Sequence, residues 1–365
     1  MKIAIMGIRG VPANYGGFET FAEEMGWRLA ARGHAVTVYG RSHYVDPHLE
    51  SYHGIRLRVL PSLRTKYLDT VAHTALSVID SLGRGFECIL ICNAANAVFS
   101  WIPSLGGTKV VLNVDGLERK RKKWNVLGRS VYRISEWLAT WLPSAMVTDA
   151  AAIRDYYRAR YHAESYLIPY GAAVDTTASD GVLSRLNVEP RKYFLYVSRL
   201  EPENNAHLVI QAFERVKTDL KLLIVGDAPY SEEYIRELKT TASKNILFTG
   251  AIYGTGYHEL QAHALCYLHA TEVGGAHPAL LEAMGHGNVV IVHDTPENRE
   301  VVGDAGIIID MHDEAALVKG LQELASGLSN KDRLRTLAKD RVESFYSWDA
   351  ITTQYEKLFD SLIEN

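Results

Sequence analysis

Residues 2–20 read KIAIMGIRGVPANYGGFET. Lys2–Ile8 is an apolar run that reads as a buried strand. Gly10–Gly17 is a glycine-bearing connection, and Phe18–Ala31 repeats apolar residues at helical spacing. Strand, glycine loop and helix in that order open a doubly wound α/β domain, whose ligands lie beyond the carboxyl ends of its strands. Adjacent Gly16 and Gly17 let the main chain approach a ligand, and a helix N-terminus offers unpaired N–H groups with a partial positive charge. Such a loop suits a diphosphate, although the same glycines also serve a flexible turn. The spacing Gly7-Ile8-Arg9-Gly10 is not the G-x-G-x-x-G of dinucleotide binders, and there is no Walker A sequence. Both facts argue against a nicotinamide or flavin protein.

Outward from this stretch the same alternation continues. Strand candidates follow at Ala35–Tyr39, Ile55–Leu60, Glu87–Cys92, Lys109–Asn113, Ala145–Thr148 and Ser165–Ile168, with a helical pattern at Leu127–Leu142. The pattern breaks over Pro169–Pro190. A second series then runs through Tyr193–Val197, Leu222–Val225, Ile246–Phe248, Cys266–His269, Val289–Val292 and Gly306–Ile309. Alternating strands and helices imply parallel sheets with crossover helices. The expected organisation is a first Rossmann-like domain over 1–170, a linker at 171–190, a second Rossmann-like domain over 191–345, and a C-terminal helix at 346–365. Periodicity leaves open whether that helix packs back on the first domain.

The chain has 365 residues, 47% hydrophobic and 22% charged, which is ordinary globular composition and excludes a disordered protein. Its 39 Lys and Arg against 43 Asp and Glu give a net charge of -4, so a global grip on nucleic acid is not expected. No apolar run approaches the ~18 residues of a spanning helix, and the N-terminus lacks the pattern of a signal peptide. A cytoplasmic protein is expected. Three cysteines make no disulfide framework; Cys88 and Cys92 share a strand, Cys266 stands alone, and all three read as structural.

Further candidate residues lie in both halves. Arg199 follows the strand Tyr193–Val197, where a guanidinium suits phosphate oxygens or a surface ion pair. Gly274-Gly275-Ala276-His277 leads into a helix that Pro278 is suited to start, and Glu282 lies one turn in, placed for a ribose diol or for the helix dipole. The run Arg119-Lys120-Arg121-Lys122-Lys123-Trp124 precedes Val131, Ile134, Trp137, Leu138 and Trp141 at helical spacing. Basic residues beside an amphipathic aromatic helix suit an anionic membrane or polyanionic acceptor, or a solvated face. Neither an H-x-x-x-H pair nor a D-x-D sequence is present, so no metal is expected, and no G-x-S-x-G elbow supports a hydrolase triad.

Taken together, GIRGVPANYGGFET with LAARGHAVTVY, YVSRLEPENN, PALLEAMGHGNVVIV and DTPENREVVGDAG resemble the retaining nucleotide-sugar glycosyltransferases of the GT-B fold, family 4. The first half, with NVDGLERKRKKW, is most similar to the bacterial polysaccharide rhamnosyltransferases. The resemblance implies two doubly wound domains facing across a cleft. It implies that Gly16 and Gly17 approach the donor diphosphate, that Arg199 binds its phosphates, and that Glu282 holds the nucleotide ribose. Asp115 falls where relatives place a His beside the reacting carbon. The chain departs from the family pattern at Asn204, where a Lys is usual, and at Gly274, where the first Glu of E-x7-E would fall; the nearest carboxylate, Glu272, is two residues early. A third departure is Tyr170–Asp175 in place of N-G-V-D.

The resemblance therefore implies a hexosyltransferase that uses a nucleotide sugar as substrate, with no cofactor. L-Rhamnose would pass from dTDP-rhamnose to a lipid-linked saccharide at the inner face of the cell membrane. Two alternatives stay open: an epimerase or hydrolase on the same architecture, or a weakly catalytic nucleotide-sugar-binding scaffold subunit.

Overall fold

The computed structural model describes residues 1–14, 16–65, 68–121, 124–174, 179, 181–228 and 231–364. The chain divides into two compact units, Met1–Gly171 with Trp348–Asn365, and Ala172–Ser347.

Among the described residues, unit 1 carries an eight-stranded sheet. Its strands are β1 (Lys2–Met6), β2 (Ala35–Arg41), β3 (Ser51–Tyr52), β4 (Ile55–Leu60), β5 (Cys88–Cys92), β6 (Lys109–Asn113), β7 (Ala145–Thr148) and β8 (Tyr166–Leu167), in the spatial order β3-β4-β2-β1-β5-β6-β7-β8. All neighbours are parallel except β3, which turns back antiparallel on β4. Parallel strands covered on both faces must be apolar throughout, and the inner strands are: every residue of β5 is buried. Ala4, Met6, Ile89, Ile91, Val110 and Leu112 form the core of one face with Val78 and Ile153. On the other side, the helix Gly17–Ala31 buries Phe21, Met25 and Leu29 and packs against the closing helix Trp348–Glu364. Phe21 lies 5.4 Å from Tyr355 and 5.4 Å from Tyr170, ring centre to ring centre. Full burial of an aromatic this size stabilises by about 2–3 kcal/mol.

Unit 2 repeats the plan with six strands among the described residues. They are β9 (Tyr193–Val197), β10 (Lys221–Val225), β11 (Ile246–Gly250), β12 (Cys266–His269), β13 (Val289–His293) and β14 (Ile307–Ile309), in the order β11-β10-β9-β12-β13-β14, all parallel. Phe194, Tyr196, Leu222, Ile224, Leu268 and Ile291 face one core. The short helix Val182–Arg185 joins this unit through buried Val182 and Leu183, and Val182 N–H donates to Glu259 Oε2 at 3.0 Å.

The elements follow the sequence reading closely, and the helix expected at Leu127–Leu142 runs from Val126 to Ala139. Asn125 caps its start through Gly128 N–H at 2.9 Å, and Thr140 ends it. The three thiols are buried and unpaired, and burial pushes Cys88 up to about 12. Among the described residues no helix is long and apolar enough to cross a membrane.

Candidate functional site

In each sheet the strand order reverses once beside the first strand, between β1 and β5 in unit 1 and between β9 and β12 in unit 2. Ligands of open parallel sheets lie at such reversals, and Gly16 and Gly17 follow β1, Arg199 follows β9 and 274–277 follow β12, while Asp115 and the run 119–124 follow β6.

In unit 1 the loop after β1 is braced by two carboxylates of the helix it enters. Arg9 N–H donates to Glu19 Oε1 at 2.8 Å, and Ala13 N–H donates to Glu23 Oε2 at 2.6 Å. Gly7 is required: its φ is +86°, and a Cβ would stand 2.4 Å from the Cys92 carbonyl oxygen. Gly16 and Gly17 begin the helix without a side-chain cap. Buried Glu19, in the first turn, already sets a negative charge near that terminus.

Asp115 follows β6, with a φ of +58°. Its own N–H donates to Asn113 Oδ1 at 3.0 Å, and Tyr170 hydroxyl donates to its Oδ1 at 3.1 Å. Asn113 in turn donates from Nδ2 to Tyr355 hydroxyl at 3.0 Å. Burial, with the Glu118 carboxylate, pushes the Asp115 carboxyl above its usual range, while Arg121 and Tyr170 pull the other way.

Arg119 and Arg121 of the basic run pair with carboxylates of their own unit. Arg119 Nε donates to Glu136 at 2.9 and 3.1 Å, and its Nη2 donates to Tyr156 hydroxyl at 2.9 Å. Arg121 is buried and donates to Glu118 at 2.6 Å. Trp124 packs on Tyr132 at 5.0 Å. Arg119 and Arg121 are held by carboxylates of the same unit through charge-assisted hydrogen bonds, and Trp124 by one of its rings. Lys120 is exposed; Lys122 and Lys123 lie outside the described residues.

In unit 2, Arg199 leaves β9 partly exposed, 3.7 Å from Glu201. Asn204 is buried beneath that turn. Its Nδ2 donates to the Arg199 carbonyl at 2.7 Å, and its own carbonyl accepts from Tyr196 hydroxyl at 2.7 Å. It thus shapes the turn that presents the guanidinium. Asn205, with a φ of +58°, donates from Nδ2 to the Ala270 carbonyl at 3.0 Å and to Glu272 Oε1 at 2.9 Å, tying the loop after β9 to the loop after β12.

Beyond β12, the His277 ring lies against Gly274, where a Cβ would come within 2.3 Å of Cε1. The residue is glycine because that imidazole occupies the space of a side chain. Gly275 and Ala276 continue the same turn, and Pro278 opens the helix Pro278–Gly285. His269 stands 4.6 Å from His277, ring to ring, and burial holds it neutral, well below its usual value. Glu282 accepts a hydrogen bond from Tyr257 hydroxyl.

Glu272, His293 and His312 bring one ligand atom each within 4.8 Å of one another, the one grouping of metal-binding composition among the described residues. Their atoms already bond within the protein: Glu272 Oε1 to His312 Nε2 at 3.0 Å, and His293 Nδ1 to Met311 N–H at 3.1 Å.

Tyr257, Asn205 and Glu136 escaped the sequence reading, and Tyr170 entered it only as the start of a departure from N-G-V-D. Asn205 neighbours a residue singled out there, whereas nothing local marks Tyr257 or Glu136.

Residues 184–341 match the family described as Glycosyl transferases group 1, and residues 87–173 match a domain of unknown function, DUF1972. Among curated proteins, the N-acetylgalactosamine-N,N'-diacetylbacillosaminyl-diphospho-undecaprenol 4-alpha-N-acetylgalactosaminyltransferase of Campylobacter jejuni is 27% identical over 42% of this chain and 44% of its own length. O-antigen chain mannosyltransferase B of Escherichia coli is 25% identical over 47% of each chain. The lipopolysaccharide 1,2-N-acetylglucosaminetransferase of Salmonella typhimurium is 24% identical over 58% and 61%. The chain spans about half the length of the curated relatives it matches. Among solved structures, sucrose-phosphate synthase from Thermosynechococcus elongatus superposes with a TM-score of 0.82 at 18% identity, covering 100% of this chain and 99% of its own. Anabaena HepE in complex with UDP and glucose gives 0.80 at 17%, covering 99% and 100%. The two parallel α/β units thus share the GT-B fold of these solved structures, and residues 184–341 match the glycosyl transferases group 1 model.

Proposed function

We propose that the protein is a retaining glycosyltransferase of family 4 that moves a hexose from a nucleotide sugar to a lipid-linked saccharide in cell-surface polysaccharide synthesis. The observation that carries this reading is the reversal point between β9 and β12, where Arg199, the turn 274–277 and Glu282 gather inside the matched segment. Arg199 meets the departing diphosphate, so charge develops toward a preorganised donor. Such groups are each worth about 3 kcal/mol where water is excluded. The reading requires no metal. The 274–277 main chain, with His277, takes over sugar contacts at the position where Gly274 has no side chain.

The departing diphosphate accepts the proton of the attacking hydroxyl on the same face of the sugar. Asp115 stabilises positive charge at the anomeric carbon or orients the acceptor hydroxyl. We take the donor to be dTDP-L-rhamnose. The curated relatives named above include an enzyme of a diphospho-undecaprenol-linked sugar and two of O-antigen or lipopolysaccharide assembly. Their names support a lipid-linked acceptor at the inner membrane face, where the protein would act in peripheral contact.

The test is transfer. The purified chain is incubated with dTDP-rhamnose, UDP- and GDP-sugars and a synthetic polyisoprenyl-diphosphate saccharide, and the anomeric configuration of the product is read by NMR. Retained configuration with dTDP-rhamnose is the expected result. Turnover of donor without acceptor would replace the transferase reading with a hydrolase or epimerase. Tight donor binding with no product from any donor would leave a scaffold subunit.

A further inference from the structure

The helix Val126–Ala139 is built inside out. Its inward side carries Tyr132, Ser135, Glu136 and Ala139, whereas Val126, Leu127, Val131, Ile134 and Trp137 are exposed, followed by Trp141 at 72%. Hydrophobic burial favours the opposite rotation, since each such side chain gains when removed from water. Polar anchoring holds the helix this way. Glu136 is 2% exposed and accepts from Arg119 Nε at 2.9 Å, Tyr156 hydroxyl at 2.7 Å and Tyr161 hydroxyl at 3.2 Å. A buried carboxylate with three donors fixes one rotation, and that rotation turns the apolar stripe outward.

Beside the stripe is a cavity of about 440 Å³ lined by Ile134, Trp137, Tyr156 and Tyr161, with Arg133 and Arg160 among its walls. The charge of Arg119, also in the wall, is matched by Glu136. Arg133 and Arg160 have no ion-pair partner among the described residues, and the Arg160 guanidinium lies 5.9 Å from the centre of the Tyr161 ring. The patch therefore combines two uncompensated cations, an aromatic cavity and a rim of exposed apolar side chains. Aromatic and basic residues of this kind belong where one end of a ligand is charged and the other is hydrocarbon.

We propose that this cavity is a docking site for the phosphate headgroup of an anionic phospholipid. Arg133 and Arg160 meet the phosphate, Ile134 and Trp137 meet the start of the acyl chains, and Leu127, Val131 and Trp141 enter the surrounding bilayer. The proposal rests on the membrane-facing part of the reading above. It moves the anchor from the run 119–124, whose Arg119 and Arg121 turn inward, to the outward face of the next helix.

Co-sedimentation of the full chain with vesicles tests it, using phosphatidylcholine alone and phosphatidylcholine mixed with phosphatidylglycerol. The wild type is expected to pellet with the mixed vesicles at low salt and much less with the neutral ones. A basic residue at an anionic surface is worth about fivefold in partitioning, so Arg133→Gln with Arg160→Gln should lose more than about tenfold on mixed vesicles. Trp137→Ser should weaken binding to both. Lys319→Gln, on an exposed helix of unit 2, removes charge elsewhere and should change nothing. Equal pelleting with both vesicles, an unchanged Arg133/Arg160 variant of wild-type melting temperature, or an equal loss from Lys319→Gln would each overturn the proposal. The vesicles hold no sugar, so binding without transfer would break the enzymatic reading alone.

Discussion

Tyr170 hydroxyl and Asp115 Oδ1 stand 3.1 Å apart, a contact between residues 55 positions distant in the chain. The phenol donates to the carboxylate and thus favours its ionised form, against the burial that disfavours it. The balance makes Asp115 costly to the fold. Its carboxyl binds a proton more readily folded than unfolded, so its contribution to stability declines as pH rises from the ordinary carboxylate value through the raised one. Asp115→Asn removes that slope. Its melting temperature should gain on that of the wild type as pH rises above the ordinary carboxylate value, while transfer falls at least tenfold. A variant less stable than the wild type at the alkaline end would show that Arg121 holds the carboxylate at a net gain.

Arg199→Ala should lower kcat at least tenfold, about 1.4 kcal/mol of transition-state stabilisation, with little change in melting temperature because the side chain is partly solvated. An unchanged rate would remove the guanidinium from the leaving-group site.

Gly274→Ala is a steric experiment. Its Cβ would press on the His277 ring, so donor affinity should fall several-fold. Adding His277→Ala should restore part of the loss, giving a coupling of about 1 kcal/mol in a double-mutant cycle by calorimetry. Strict additivity would separate the two residues.

Tyr257→Phe removes one hydrogen-bond donor from Glu282. On the ribose role proposed for Glu282, dTDP and UDP affinities should change by different factors, since the two sugars differ by one hydroxyl. Equal losses for both nucleotides would mean that Tyr257 only supports the helix.

His73 sets an acid limit on unit 1. Burial lowers it to about 4, and its Nε2 faces the Gly40 carbonyl at 3.0 Å. The unfolded chain takes up this proton near ~6.5 and the folded one does not. Stability is therefore complete above that value and falls as pH drops toward 4, by up to about 3 kcal/mol. His73→Gln should flatten the dependence of denaturant midpoints over this window. An unchanged slope would place the proton elsewhere.

The sheets were legible because a strand buried on both faces is an apolar run that turns punctuate, as in Cys88–Cys92 and Val289–His293. The two-residue β3 was not, since its pairing is imposed by the turn at His53 and Gly54, both of positive φ, rather than by any period. Main-chain candidates were legible wherever glycines cluster. Side-chain partners were not: Tyr257 meets Glu282 across 25 positions, and Glu136 draws Arg119 inward from 17 away. A run of charge announces its sign, but the carboxylate that claims it is announced only by the fold.

The closing helix Trp348–Glu364 gives Tyr355 to Phe21 and Asn113, so the last eighteen residues complete a unit that begins at Met1. Unit 2 is in effect an insertion with its own sheet. Cutting the gene after codon 171 would strand the amino-terminal piece without its lid, whereas exchanging 172–347 as one cassette leaves the host intact. On the function proposed above, recombination that trades one such insert for another would pass on the proposed donor site independently of the proposed docking face.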